Sequence, residues 1–345
     1  MPDVESLSER ECRVLEAVIE TYIATAEPAG SQTVARRSAL GISPASIRTT
    51  MSDLEAKGFL YHPHTSAGRI PTDRAYRVYV DALMRRTPPD AQAREHLEVE
   101  LAAVGNASEE LLGRAAQVLG ILTQELGVAV APALEAIVLD RVDLVPVSSD
   151  RVLLVLNLKS GTVRSIFIRL PAMLERDEVE EVERILNERL GGLTLRDIRA
   201  TFADRLRDAT TGPEMGELLD IILAEGDGIF DVGEPREAMM LGSASVLVDQ
   251  PEFASSERMR TLLSITERRD LLREALADRR REGLTVTIGG EHDARGLADF
   301  TLVTSTYRRG GATGVIGVLG PTRMPYDKIL GLVEHTGRLI EGLIQ

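Results

Sequence analysis

The chain has 345 residues, 43% of them hydrophobic, enough to fill the cores of two or three domains and to exclude a polypeptide without a packed interior. No apolar run reaches the 18 or more residues of a membrane span, and the acidic N-terminus MPDVESLSERE is unlike a signal peptide, so no membrane segment and a cytoplasmic location are expected. The net charge of −14 argues against nucleic acid along the whole chain, yet residues 36 to 86 carry nine basic and four acidic side chains, a local +5.

Ser8-Glu9-Arg10-Glu11 has the form of a capping box and predicts a first helix carried by Leu15, Val18, Ile19 and Tyr22. The single cysteine, Cys12, lies among its apolar positions, which predicts a small buried thiol and excludes an internal disulfide. Glu27-Pro28-Ala29-Gly30 breaks the helix, Ser31 caps a second short one to about Ser38, and Leu40-Gly41-Ile42 turns into a third. There Ser43 suits the N-cap and Pro44 the first helical position. Ile47, Met51 and Leu54 share one face, whereas Ala45, Arg48, Thr49 and Ser52 point away from it, and Gly58 ends the helix.

Phe59-Leu60-Tyr61, the turn Ser66-Ala67-Gly68 and Arg69-Ile70-Pro71 predict a short basic hairpin, with Arg69 near its tip and His64, Thr65 and Ser66 as further donors. A helix with a small, polar outer face, preceded by two short helices and followed by a basic hairpin, is the sequence form of a recognition helix and wing. On this reading Ser43, Ala45, Ser46, Arg48, Thr49 and Ser52 face the DNA from the helix, and His64, Thr65, Ser66 and Arg69 from the hairpin. Asp73 to Met84 predicts a fourth helix, whose Arg74 and Arg77 are expected to flank the DNA backbone, and Thr87-Pro88-Pro89 ends the domain.

Residues 91 to 126 predict two amphipathic packing helices, the second capped by Ser108, carried by Leu111, Leu112, Ala115, Leu119 and Leu122, and stopped by Gly127. Strands are predicted at 136–145, 151–158 and 163–170, then helices at 176–190 and from Thr194. From about 203 to 270 the chain reads as mainly helical, with Met215, Leu218, Leu219, Ile222 and Leu223 on a strongly apolar face. Strands resume at 284–288, 300–305 and 315–319 before a last helix, so one sheet is expected to be split by an insert. Grouped helices and strands favour α+β over a doubly wound fold.

The glycine-rich run Gly310 to Gly320 lacks phosphate-loop spacing and reads as a strand, a Gly-Gly turn and a strand. Neither a metal-ligand spacing among the five histidines nor a nucleophile elbow occurs, so no catalytic residue, metal or cofactor is expected.

The stretches YIATAEPAGSQTVA (22–35), SIRTTMSDLEAKGFLYHPHTSAGRIPTDRAYRVYV (46–80), ILNERLGGLTLRDIR (185–199) and GVIGVLGPTRMPYDKILGLV (314–333) closely resemble the bacterial heat-inducible transcription repressor HrcA family over nearly the full chain. The resemblance implies a winged helix-turn-helix domain at 1–88, a GAF-like antiparallel-sheet domain at 89–202 and 271–345, and an inserted, mainly helical dimerisation domain at 203–270. It further implies a dimer on an inverted-repeat operator called CIRCE, repression of chaperone operons, and activity maintained by the chaperonin. The family's reading helix falls on Pro44 to Lys57 and its wing on His62 to Thr72. Thr49 stands where similar repressors have Asn, and Pro325 where they have a polar or acidic residue. The dimer contact is expected on the face of Met215, Leu218, Leu219, Ile222 and Leu223. A regulator whose GAF-like domain senses a small molecule is the alternative.

Overall fold

In a computed structural model, residues 6–64, 67–104, 108–133, 136–148, 151–169, 176–206, 215–230, 238–277, 279 and 283–344 are described. Helices and antiparallel strands are mixed, and the chain divides into two compact units. The first comprises 1–129, 239–306 and 315–340, and the second 130–238, 307–314 and 341–345. The division differs from limits at 203 and 270: residue 203 lies within a helix of the second unit, and residues 239–270 return to the first.

The first unit begins with α1 (Glu9–Thr25), α2 (Ser31–Arg37), α3 (Pro44–Ala56), the hairpin strands β1 (Leu60–Tyr61) and β2 (Ile70–Pro71), and α4 (Asp73–Val78), which runs on as a π-helical turn over Tyr79–Leu83. Helices α5 (Ala91–Ala102) and α6 (Ser108–Thr123) follow, with Leu97, Leu101, Leu111, Leu112, Ala115 and Leu119 buried.

A five-stranded sheet has the order β7-β3-β10-β9-β8, from β3 (Leu126–Val130), β7 (Met239–Leu241), β8 (Thr285–Ile288), β9 (Phe300–Arg309) and β10 (Ala312–Pro321). Neither β3 nor β7 is among the predicted strands. Every residue of β3 is buried, so its sequence LGVAV shows none of the alternation that marks a half-exposed strand. Gly310 and Gly311, at φ +55° and +86°, make the tight turn between β9 and β10, which settles that stretch as a hairpin. Helix α13 (Tyr326–Leu343) turns Ile329, Leu330, Val333 and Ile340 inward, and the Tyr326 hydroxyl lies 3.1 Å from Thr301 Oγ1. The short α10 (Ser245–Val248), with α11 (Ser256–Glu267) and α12 (Arg269–Ala277), completes this unit.

The second unit has its own antiparallel sheet, β4 (Leu139–Ser148), β5 (Arg151–Leu158) and β6 (Val163–Arg169), in that order. One sheet split by an insert is therefore corrected to two separate sheets. Few residues separate β4 from β5 and β5 from β6 in sequence, so these strands pair locally, and their inward residues Val142, Leu144, Val152, Leu154, Leu156 and Ile168 lie in one buried core of this unit. Helices α7 (Arg176–Leu190), α8 (Leu195–Leu206) and α9 (Met215–Phe230) supply Val182, Leu186, Ile198, Phe202, Leu218, Leu219, Ile222 and Phe230 to it. Asn187 of α7 caps the free edge of β4, its amide accepting from Val142 N at 2.8 Å and donating to Val142 O at 2.7 Å, which blocks further strand addition there.

This packing corrects the expected dimer face. Leu218, Leu219 and Ile222 are each at most 1% exposed inside their own unit, and Leu223 packs against the same core, so they are not a surface. Met215 begins α9, but its side chain lies outside the described residues. The apolar periodicity is real, and its partner is the chain itself. Replacing Leu219 by Ala is expected to lower stability by roughly 2–5 kcal/mol in chemical denaturation, the range for a buried leucine. Leu219→Lys is expected to unfold this unit rather than to yield a folded monomer in light scattering.

Candidate nucleic-acid interface

The reading end is built from local rules. Ser8 and Glu11 form the reciprocal capping box, and Lys57 Nζ lies 2.7 Å from Glu11 Oε1. The hydrogen bonds of Lys57 and then Ser8 hold the Glu11 carboxyl at about 2, which fastens the start of α1 to the end of α3. Ser43 caps α3 by accepting from Ser46 N at 3.2 Å, and Gly58, at φ +80°, closes its far end. Ile47, Thr50, Met51 and Leu54 are buried, while Ala45, Arg48, Thr49 and Ser52 are exposed and Ser46 half-buried, the facing expected from periodicity.

The outer face is not uniformly free. The Thr49 hydroxyl donates back to Ala45 O at 3.2 Å, and the Ser43 hydroxyl holds the cap. Arg48 is exposed with no ion pair or side-chain hydrogen bond among the described residues, so its guanidinium is available. Arg36 and Arg37, exposed in the last turn of α2, are two more cations on the helix before α3, counted in the local charge of 36 to 86 but not placed by sequence reasoning.

In the hairpin Leu60 pairs with Pro71 and Tyr61 with Ile70, and an Ala29–Arg69 bridge adds a third short limb. Gly68 allows this, because a Cβ there would lie 2.3 Å from Pro28 O. His64 is exposed at the outer end, where Ala67 N donates to His64 O at 2.9 Å, whereas Thr65 and Ser66 lie outside the described residues. Arg69 is not at the tip. It sits beside the paired strands, 9% exposed, with Nε donating to Glu55 Oε2 at 3.2 Å, because hairpin pairing stops at Tyr61–Ile70 and the Ala29 bridge holds Arg69 next to it.

The two arginines of α4 also have partners within the chain. Arg74 stacks on Phe59, its guanidinium carbon 4.4 Å from the ring centroid, and donates to Lys57 O at 2.9 Å. Arg77 forks onto Glu291, with Nε 2.7 Å from Oε1, and donates to Val286 O at 2.7 Å and Asp81 Oδ1 at 3.1 Å. Asp73 accepts from Gly290 N at 2.9 Å. Further along, Arg323 donates to Ile23 O at 2.8 Å while pairing with Glu252, and the Tyr76 and Tyr326 rings are 5.7 Å apart. These contacts fix α1 and α4 against the five-stranded sheet, all within the first unit.

Residues 109–330 match the family described as HrcA protein C terminal domain. The chain is 38% identical over 340 residues to the heat-inducible transcription repressor HrcA of Chlorobium phaeobacteroides (strain BS1), covering 95% of this chain and 96% of that one. The repressor of the same name from Chlorobaculum tepidum is 37% identical over 353 residues, with 98% of each chain covered. The chain belongs to the HrcA family. A crystal structure of a hypothetical protein at 2.2 Å resolution aligns over 98% of both chains with a TM-score of 0.58 and 25% identity. Membership makes this chain a transcriptional repressor and not an enzyme. Among its described residues no helix is long and apolar enough to cross a membrane.

Burial pushes the Glu291 carboxyl up, but the hydrogen bonds from Arg77 and Ile288 N outweigh it and hold the group below its ordinary value. The fork therefore contributes fully above the unfolded carboxylate value of about 4.3, and the contribution is lost as pH falls through the lower folded value. Arg77→Ala is expected to cost about 1 kcal/mol at neutral pH, discounted because the pair is partly solvated. Denaturant unfolding of parent and variant should converge in acid.

Proposed function

We propose that this HrcA-family chain is a sequence-specific repressor of chaperone operons, acting in the cytoplasm as a dimer on an inverted-repeat operator of the CIRCE type. The α1–α3 helices with the β1–β2 hairpin act as a winged helix-turn-helix, and the single observation that carries the reading is the exposed outer face of α3, with Arg48 at its centre carrying no ion pair or side-chain hydrogen bond among the described residues. Inserted in a major groove, that face offers Arg48 to guanine or phosphate, Ser46, Thr49 and Ser52 as hydroxyl partners, and Ala45 as room for a base methyl. Arg36 and Arg37 on the preceding helix suit the flanking backbone, and His64 the hairpin's outer end. Thr49 has the shorter reach and the internal bond to Ala45 O, which limits readout where Asn would take adenine with two bonds.

The sheet around β10 takes the part of the GAF-like domain, and the second unit that of the dimerisation insert, with a different face from the one expected. Val145, Leu153 and Phe167 stand opposite one another across β4, β5 and β6, and Val145 and Phe167 are 46% and 65% exposed. Among the described residues Val145 and Phe167 stay open on either side of the half-buried Leu153, and that row suits a two-fold partner.

Maintenance by the chaperonin is supported by the topology. Between β3 and its sheet neighbour β7 the chain builds most of the second unit, so the pairing is non-local and incomplete intermediates expose apolar strands. The ligand-sensing reading stays second, supported by a cleft of about 400 Å³ walled by Tyr22, Tyr61, Tyr76, Arg258 and Phe300, where the buried Tyr76 hydroxyl has no hydrogen-bond partner among the described residues.

In a gel-shift titration on inverted-repeat DNA, Arg48→Ala is expected to cost roughly 1–3 kcal/mol of binding at matched salt, and unchanged binding would remove α3 from the interface. Phe167→Asp is expected to give folded monomers in light scattering that bind the operator weakly. Dimers that persist would exclude the β4–β6 face.

A further inference from the structure

Glu55 is an acidic residue on the helix that the reading above places in the groove. It lies seven residues after Arg48 and three after Ser52, so the three share one stripe of α3. A bare carboxylate there would repel phosphates. Its two oxygens are instead divided between the two limbs of the hairpin: Oε1 is 2.6 Å from His62 Nδ1, and Oε2 is 3.2 Å from Arg69 Nε and 3.1 Å from Arg69 Nη2. The hydrogen bond from His62, and beyond it the charge of Arg69, hold the Glu55 carboxyl below the usual carboxylate range.

Arg69 is held from the other side as well. Its N–H donates to Ala29 O at 3.0 Å and its C=O accepts from Ala29 N at 2.9 Å, while Nη2 also reaches Ser52 Oγ at 3.4 Å. Its side chain is only 10% exposed. To reach a phosphate the guanidinium would have to abandon Glu55, leaving that carboxylate uncompensated next to the DNA. The exchange gains one charge contact and creates one repulsion, so the arrangement that keeps both charges paired is the better one in the complex too.

We propose that Glu55 and Arg69 are a positioning pair that locks both limbs of the hairpin to the reading helix, and that neither touches DNA. This rests on the DNA-binding reading. It inverts the expectation for each residue. Arg69 fixes the angle of the hairpin instead of neutralising a phosphate, and removing the acidic Glu55 weakens binding instead of strengthening it.

The test compares parent, Glu55→Ala, Arg69→Ala, the double variant, the charge-swapped Glu55→Arg/Arg69→Glu chain and Arg48→Ala, each titrated on the same inverted-repeat DNA at several salt concentrations. Each single change is expected to weaken binding roughly tenfold, the double to be no worse than the weaker single, and the swap to recover most of the loss. The salt slope of Arg69→Ala should match the parent's, whereas loss of a phosphate contact lowers it by about one. Glu55→Gln, which keeps one acceptor and loses the charge, supplies an intermediate should the swap fail to fold in thermal unfolding. A lower slope for Arg69→Ala, losses that multiply in the double, or tighter binding by Glu55→Ala overturns the proposal. Failure of the parent to bind, or an unaffected Arg48→Ala, strikes the DNA-binding reading and not the pair.

Discussion

The fork of Arg77 on Glu291 is the contact on which the reading end depends. It joins the helix that follows the hairpin to the turn after β8, and Asp73 makes a second bond to the same turn through Gly290 N. Arg323 repeats the device from the other side by binding Ile23 O at the end of α1. A hydrophobic contact alone would let α1 and α4 slide over the sheet. Directional bonds to a carboxylate and to carbonyls give the contact a register. The orientation of α3 thus follows the integrity of the five-stranded sheet.

That arrangement changes how the local charge is to be understood. Residues 36 to 86 carry a formal +5, but Arg69, Arg74 and Arg77 are engaged with Glu55, the Lys57 carbonyl and Glu291. Lys57 pairs with Glu11, and the cations left without a partner among the described residues are Arg36, Arg37, Arg48, Arg85 and Arg86, of which the first three lie on α2 and α3. A guanidinium offers five donors in a rigid fork, and carboxylates and carbonyls inside the chain can occupy them before a phosphate outside does. Counting basic residues gives the sign of the field; only the packing says which charges remain in it.

Much of the fold was legible in the sequence wherever the signal is local. Ser8, Ser43, Thr194 and Gly58 mark helix ends by bonds that span three or four residues, and all four do so in the structure. The Gly310-Gly311 turn was equally plain. What failed were questions of partnership. Strand β3 was missed because a strand buried on both faces has no alternation, and β7 because three residues are too few to show any. The apolar face of α9 was visible, but periodicity cannot distinguish a core within the chain from a surface awaiting another copy. At the interface, the outer face of α3 was legible and the destinations of Arg69 and Arg77 were not, because Arg69 is fixed by Glu55 on the preceding helix and Arg77 by Glu291 far along the chain.

The topology also bears on temperature. β3 closes against β7 and β10 only after most of the second unit and the segment to residue 321 have been made, so much of the sheet's free energy comes from contacts with a large loop-closure cost. Through Arg77, Asp73 and Arg323, any opening of that sheet frees the helices that present α3. DNA binding need not be lost by damage to the reading helix itself, whose caps and core are local and self-sufficient. On the proposed reading it would go earlier, once the non-local sheet opens and α3 keeps its shape without its orientation. Repression would then track the folded fraction of the first unit's sheet, a quantity that both heat and a folding catalyst alter without any dedicated sensor site.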